Sequence, residues 1–517
     1  METLRTDCLV IGAGLAGAAY ALNAARMGLN VALVSRGGNF DANSDRAQGG
    51  IIYDPAGLDG SLPQDIMEAS AGTANPAAID HLVRHGPTAV EELLMAEHPV
   101  DFDREADGSL QFAREGGHSE RRIIHARDTT GHSILKSIFG QVAEEKNITR
   151  YTGAIAVDLL TLSHNAEGAT HRYAPLTCFG AWILLPDADE PVSFLARKTI
   201  LATGGLGQIY QHTTNWAGSV GHGVAMAYRV GTRVIDMEYV QFHPTVFYGK
   251  RAPRFLITEA IRGEGAVLVN AAGEHFMDKV HERASLAPRD IVSRAIHREL
   301  TESGEPCVYL DLEAMERGKL SERFPTVYSS CLKHGVDISK EPIPVVPAAH
   351  YSCGGIHADL NGRTNIRNLN AIGETGCTGL HGANRLASTS LLECLTSGKF
   401  TALSDARDIE QQEFELPEPR PWQSPEFEAD PTLIAQDLNM VQQTMWNYAG
   451  IVRTPRRLTR ARRILLEARE EIQSFYRNCR VIPELVELRN AVQTALMVVR
   501  AATLNQRSRG AHFVVDE

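Results

Sequence analysis

The chain has 517 residues, 43% of them hydrophobic and 22% charged, with a formal net charge of −12. That length exceeds one simple core, so two or three domains are expected; the acidic balance, with no basic tract, excludes nucleic acid as a partner. No apolar run approaches the roughly eighteen residues that a membrane span needs, and the eight cysteines form no CxxC pair, which leaves no expected metal and points to a reducing, cytoplasmic setting.

METLRTDCLVIGAG enters a strand pattern almost at once, so no leader segment is expected. DCLVIGAG reads as a buried strand ending in a glycine turn, LAGAAYALNAARMG as a small-residue helix, and LNVALVS as a second buried strand. Gly12, Gly14 and Gly17 fall between the first strand and the helix. The first permits a tight turn, the second lets backbone approach a pyrophosphate at the helix N-terminus, and the third allows close helix–strand packing. In that context the spacing points to a dinucleotide. The acidic residue usual at the end of the second strand is absent, and Ser35 and Arg36 stand there instead. A serine hydroxyl can still bond a ribose, and Arg36 can approach a phosphate.

LARKTILATGG (195–205) and LNAIGE (369–374) read as two further apolar strands with glycine or acid at their carboxyl ends. Ligands collect at such ends in parallel sheets. Their separation implies one cofactor domain, 1–236 and 352–411, interrupted by an insertion at 237–351. PEPRPWQSPEFEADP reads as a linker. Beyond it, TPRRLTRARRILLEAREEIQSFYRN and LVELRNAVQTALMVVRAATL have the spacing of long amphipathic helices. Residues 412–517 are therefore expected to form a helical domain, either packed on the catalytic domains or presenting a partner surface.

DANSDRAQGG (41–50), ATGG (202–205), AIGE (371–374) and HGANRLASTSLLECLTSG (381–398), with QFHPT, TEAIRGEGA, APRDIV and PAAHYSCGG, make one ordered set of blocks. Over nearly its full length the chain resembles the flavoproteins of the succinate dehydrogenase and fumarate reductase family, and within it the L-aspartate oxidase branch. The resemblance implies an α/β fold: a Rossmann-like FAD-binding domain interrupted by an α+β capping domain and followed by a C-terminal helical bundle. It implies FAD, with Gly12, Ala13, Gly14, Leu15, Ala16, Gly17 and Arg36 at the adenosine and pyrophosphate end. Asn43, Ser44, Asp45, Arg46, Ala47, Gln48, Gly49 and Gly50 would pass the isoalloxazine, and Ile155 and Ala156 would lie near the adenine. Glu374 would take ribitol or ribose hydroxyls, and Ser390 and Leu391 would approach the flavin ring. His222 replaces the aspartate of a GDG-type turn. Membrane succinate dehydrogenases attach FAD through a histidine four residues before the alanine of AQGG. That position is Asn43 here, so a non-covalent FAD is expected.

By the same resemblance, His243, Thr258, His350 and Arg385 bind the carboxylates of a small dicarboxylate. Arg289 carries the proton, and Glu259 and Arg262, three residues apart on one helical turn, relay it. The implied reaction is oxidation of L-aspartate to iminoaspartate, the first step of NAD biosynthesis through quinolinate. Oxygen or fumarate would accept the electrons, the capping domain would close over the flavin, and the product would pass transiently to quinolinate synthase. The alternative is a soluble fumarate reductase or succinate dehydrogenase flavoprotein. Glu115, in FAREGGHSERR, separates the two. As a solvated loop charge it says nothing; as the partner of an α-ammonium it makes the chain an amino-acid oxidase, because aspartate differs from succinate by that group.

Overall fold

The computed structural model describes residues 3–249, 254–313, 315, 320–411 and 414–516. A central sheet runs in the order Ile148–Thr152, Val31–Ser35, Thr3–Ile11, Val192–Leu201, Cys178–Leu184 and Ile155–Thr161, with Leu369–Ala371 also paired to Val192–Leu201. Thr3–Ile11 is parallel to Val31–Ser35 and to Val192–Leu201, while Cys178–Leu184 and Ile155–Thr161 turn back antiparallel. The inner strands are apolar on both faces, as strands covered by helices must be. The segment CLVI (8–11) accordingly shows no polar alternation and is buried throughout. The three strands with glycine or acid at their ends, Thr3–Ile11, Val192–Leu201 and Leu369–Ala371, are neighbours whose carboxyl ends open on one edge.

Helix Leu15–Arg26 lies against helix Thr389–Gln411. Small residues permit the approach, since a Cβ on Gly398 would press on the Ala16 carbonyl oxygen and the Ala19 methyl. A buried hydrogen bond from the Tyr20 hydroxyl to Asp405 Oδ2 (2.8 Å) joins the two helices further along.

The insertion carries an antiparallel sheet in the order Val240–Phe247, Ile343–Ser352, Val308–Asp311, Val267–Val269. Its own apolar core includes Ile257, Leu268, Val292, Ile296 and Val345. Helix Arg289–Ser303 is tied to the first of these strands by a bond from the Ser293 hydroxyl to the Phe242 carbonyl (2.9 Å).

The C-terminal part forms three helices, Pro431–Ala449, Pro455–Asn478 and Pro483–Leu504, each opening with proline at its first turn, where a missing N–H costs nothing. Asp430 and Thr454 cap the first two. Of the two expectations for this region, packing on the catalytic domains is what occurs. Val441, Leu465, Leu485 and Val498 belong to the same core cluster as the central-sheet residues Leu9, Phe179 and Leu201. Among the described residues no helix is long and apolar enough to cross a membrane.

Candidate active site

A cavity of about 650 Å³ lies between the carboxyl ends of the central strands and the insertion. Gly12 through Ala16, Asn43 through Gly50, Glu374, Ser390 and Leu391 line one end. Gly12 sits at φ +110°, where a side chain is strained and a Cβ would strike the Ala202 carbonyl. Gly17 stands behind this lining. A Cβ on it would collide with the Gly12 carbonyl oxygen, which is why helix and strand pack so closely there. Gly14 is the N-cap of helix Leu15–Arg26, has no side-chain cap, and no acid stands in the first turn. The helix N-terminus therefore faces the cavity with no acid on it, its first N–H, that of Leu15, meeting the Ser44 hydroxyl at 3.3 Å.

Four further expected cofactor residues do not line the cavity. Ile155 and Ala156 are buried in the strand Ile155–Thr161. Arg36 turns to the last helix, where its Nε meets Glu487 Oε1 at 2.9 Å and its guanidinium also pairs with Glu484. His222 is buried at the start of helix His222–Arg229, with Asn490 Nδ2 donating to its Nδ1 at 2.8 Å. Burial pushes this imidazole down to about 3, so it is neutral. Its Nε2 has no hydrogen-bond partner.

The other end collects the charged residues. His243 and Gln241 come from strand Val240–Phe247, His350 from Ile343–Ser352, Thr258 and Glu259 from the start of helix Glu259–Gly263, and Arg289 from the first residue of its helix. Arg385, Ser388 and Glu115 come from the cofactor half. Arg289 Nε donates to Glu259 Oε2 (2.6 Å) and its Nη1 to Gln241 Oε1 (3.1 Å). The same amide oxygen accepts from Arg385 Nη2 (3.2 Å), so one glutamine spaces two guanidiniums. Arg385 also donates to the Ser390 hydroxyl (2.9 Å) and rests over the Tyr351 ring at 4.3 Å. Arg262 does not line the cavity. It stands behind Glu259, 3.5 Å from Oε1, and donates to the Ser285 carbonyl at 2.6 Å. Glu115 lies in the cavity, 7% exposed, and its Oε2 accepts from the Ser388 hydroxyl at 2.6 Å.

Burial governs the titration of these groups. It holds His243 and His350 well below the usual imidazole range, with Arg289 adding to the first and Arg385 to the second, so both rings are neutral. The backbone N–H of Thr245 reaches His243 Nδ1 at 3.3 Å, and the Thr214 hydroxyl bonds His350 Nδ1 at 2.9 Å. Each ring thus keeps Nε2 for a ligand. Burial works against ionised Glu259, but Arg289 and Arg262 outweigh it and hold this carboxyl below its ordinary value. Glu115 goes the other way: burial and the Glu259 charge raise it, against Ser388, Arg289 and Arg385. A buried carboxylate with a raised value gains from a cation.

Comparison with known proteins places these features together. The FAD binding domain family matches residues 7–391, and the fumarate reductase flavoprotein C-terminal family matches 438–517. L-aspartate oxidase 1 of Ralstonia nicotianae is 43% identical, over 99% of this chain and 95% of its own length. The L-aspartate oxidase of Pseudomonas aeruginosa is 41% identical, over the same shares. The chain belongs to the L-aspartate oxidase family. Among solved structures, E. coli quinol fumarate reductase FrdA superposes with a TM-score of 0.88 at 27% identity, covering 100% of this chain and 92% of that one. Mycobacterium smegmatis Sdh1 gives 0.83 at 28%, covering 99% and 89%. The wider fold is thus shared with quinol fumarate reductase and Sdh1, while the identity is higher to the L-aspartate oxidases.

Family membership brings a flavin cofactor, and the residues fit one. The acid-free helix N-terminus suits a pyrophosphate, Gly14 leaves room for it, and Gln48 Oε1 and Arg385 Nε are buried polar atoms with no protein partner. Burial lifts Glu374 to about 7, so its ionised form gains from further donors such as sugar hydroxyls.

Gln241, Tyr351, Thr214 and Ser388 are parts of this site that the motifs did not single out. Gln241 had a signal, since it stands two residues before His243 on a strand and so shares its face. Ser388 is a non-glycine residue at φ +56°, a conformation held only where the surroundings demand it.

Proposed function

We propose that the chain oxidises L-aspartate to iminoaspartate, passing the electrons through FAD to oxygen or fumarate, as the first step of de novo NAD biosynthesis via quinolinate. The observation that supports this most is Glu115. At the charged end of the cavity two carboxylates are buried: Glu259 is paired with Arg289 and Arg262, whereas Glu115 has the Ser388 hydroxyl and, among the described residues, no cation. The guanidinium and imidazole groups there suit the two carboxylates of a four-carbon diacid, and a substrate with an ammonium gives Glu115 a cationic partner.

FAD, when bound, supplies the two-electron acceptor. Arg385 and His350 hold one substrate carboxylate, and His243 and Thr258 hold the other. Conversion of the amine to an imine removes a hydride and a proton. Arg289 carries the proton, and Glu259 and Arg262 relay it away along their ion pairs. Where fumarate takes up the two electrons of the reduced cofactor as a hydride, Arg289 would deliver the accompanying proton, giving succinate. Closure of the insertion excludes water from these charges and strengthens them. At the adenosine end Arg36, Ile155, Ala156 and His222 shape the wall behind the lining residues. FAD is held without a covalent bond, because position 43 offers an amide whose Oδ1 already accepts the Trp216 N–H (2.7 Å). We also infer a cytoplasmic location and a transient handover of the unstable imine to quinolinate synthase.

Anaerobic bleaching of the flavin tests the reading. L-aspartate bleaches the FAD-loaded protein rapidly, and succinate and D-aspartate do not. Bleaching by succinate with L-aspartate inert would move the chain to the succinate–fumarate branch.

A further inference from the structure

A second cavity, of about 1020 Å³, lies between the edge strand Ile155–Thr161 and the last two helices and shares no lining residue with the first. Its floor is Asp158, on the edge strand Ile155–Thr161, clamped between two arginines. Arg229 Nη2 and Arg489 Nη1 each approach it at 2.7 Å. One carboxylate faces two guanidiniums whose side chains are only 17% and 12% exposed, so the cluster keeps a positive charge at low exposure. Burial, with Arg489 adding to it, pushes the Arg229 guanidinium below its ordinary value, while at Arg489 burial is outweighed by Asp158 and Tyr476 and the guanidinium is raised. Burying unbalanced charge is costly unless something completes it.

The wall opposite is helix Pro455–Asn478. Arg469, Gln473 and Arg477 recur every four residues along its cavity face. Among the described residues neither Arg469 nor Arg477 has an acidic partner. Eight residues of helix separate these two charges by about 12 Å. With Arg229 and Arg489 below, four guanidiniums face two carboxylates, those of Asp158 and Glu470. This is an excess of two positive charges inside a protein whose net charge is −12. The concavity and the two acids disfavour a nucleic-acid strand. The spread of the arginines, about 12 Å, exceeds what one phosphate or a short diacid can bridge. Guanidinium forks match phosphate oxygens two by two.

We propose that this cavity is a binding site for a small oligophosphate, a metabolite carrying two or more linked phosphates, distinct from the flavin and substrate site. Arg469 and Arg477 capture the outer phosphate oxygens, and Arg229 and Arg489 complete their charge balance on the inner one. The site is one side chain from the cofactor domain's own wall. Arg229 Nη1 donates to Asn490 Oδ1 (2.7 Å), and the same amide donates to His222 (2.8 Å). An occupant that draws Arg229 toward itself therefore acts on the residue that stands in the GDG-type turn.

Calorimetric titration of the FAD-saturated holoenzyme with inorganic pyrophosphate tests this, because the flavin's own pyrophosphate site is then filled. The wild type is expected to bind one equivalent, and inorganic phosphate to bind at least tenfold more weakly. R469Q/R477Q is expected to lose pyrophosphate affinity at least tenfold while keeping its aspartate turnover in the absence of the anion. R456Q/R463Q, with the same change of charge on the same helix but outside the cavity, is expected to bind as the wild type does. No heat with the wild type, undiminished binding by R469Q/R477Q, or equal losses in both double variants would overturn the proposal. None of these outcomes depends on which dicarboxylate the active site oxidises.

Discussion

At the cofactor end of the main cavity the chain offers backbone; at the substrate end it offers charge. The first is a glycine turn, an uncapped helix start and the ends of three parallel strands, and its tolerance is set by space. The second is a network of guanidiniums, carboxylates and neutral imidazoles drawn from both halves of the molecule, and its tolerance is set by pairing. A backbone cradle fails when an atom is added. A charge network fails when a partner is removed. Substitutions that add at one end and remove at the other separate the two.

The largest effect is expected from Gly17→Val. Its Cβ would occupy the place of the Gly12 carbonyl oxygen, so the helix must leave the strand and the protein is expected to purify without flavin absorbance and without activity. Next is Arg289→Met, which removes the proposed proton carrier but nothing of the cradle. The kcat is expected to fall by about 10³-fold or more, with FAD retained at wild-type stoichiometry. Gln241→Leu leaves two guanidiniums without their common acceptor. A loss of about 1–2 kcal/mol in substrate binding is expected, read as a roughly tenfold or greater rise in KM with a smaller change in kcat.

The pH dependence is a smaller effect with a definite sign. Glu115 must be ionised to accept an ammonium, and its value is raised, by burial first and then by Glu259. As pH falls, kcat/KM for L-aspartate is expected to drop at a pH above the ordinary carboxyl range, and Glu115→Gln is expected to lack that limb. The smallest effect is expected from Asp128→Ala. Asp128 accepts from Thr326 N (2.8 Å) and Val327 N (3.2 Å) at the start of helix Pro325–Lys333, joining the insertion to the cofactor half. Its loss is expected to cost about 1 kcal/mol in urea unfolding, with turnover close to wild type.

The same contrast governs what the sequence made legible. The glycine turn depends on residues that are close neighbours in the chain, Gly12 to Gly17, so its spacing alone announced it. The strand ends at Leu201 and Ala371 were visible because each is an apolar run closed by glycine or acid. Site histidines and arginines were visible as blocks, but their pairings were not. The bond from Ser388 to Glu115 spans 273 residues and that from Arg385 to Gln241 spans 144, and no local pattern encodes either. Arg36 and His222 turned away from the cavity lining for the same reason: Glu487 and Asn490, which hold them, lie on the last helix and reach them only through its docking. The arginines of helix Pro455–Asn478 showed in the sequence only as the polar side of an amphipathic helix, yet part of that side lines a cavity with Asp158.

The most direct test of the account is the ratio of two activities in Glu115→Gln, L-aspartate oxidation and fumarate reduction, each measured as kcat/KM on FAD-saturated protein. Fumarate carries no ammonium, so its reduction reports whether the site has stayed intact. The account predicts that aspartate oxidation falls by about 10–100-fold while fumarate reduction holds. Equal losses in the two activities, or none in either, would contradict it and return Glu115 to the status of a buried structural charge.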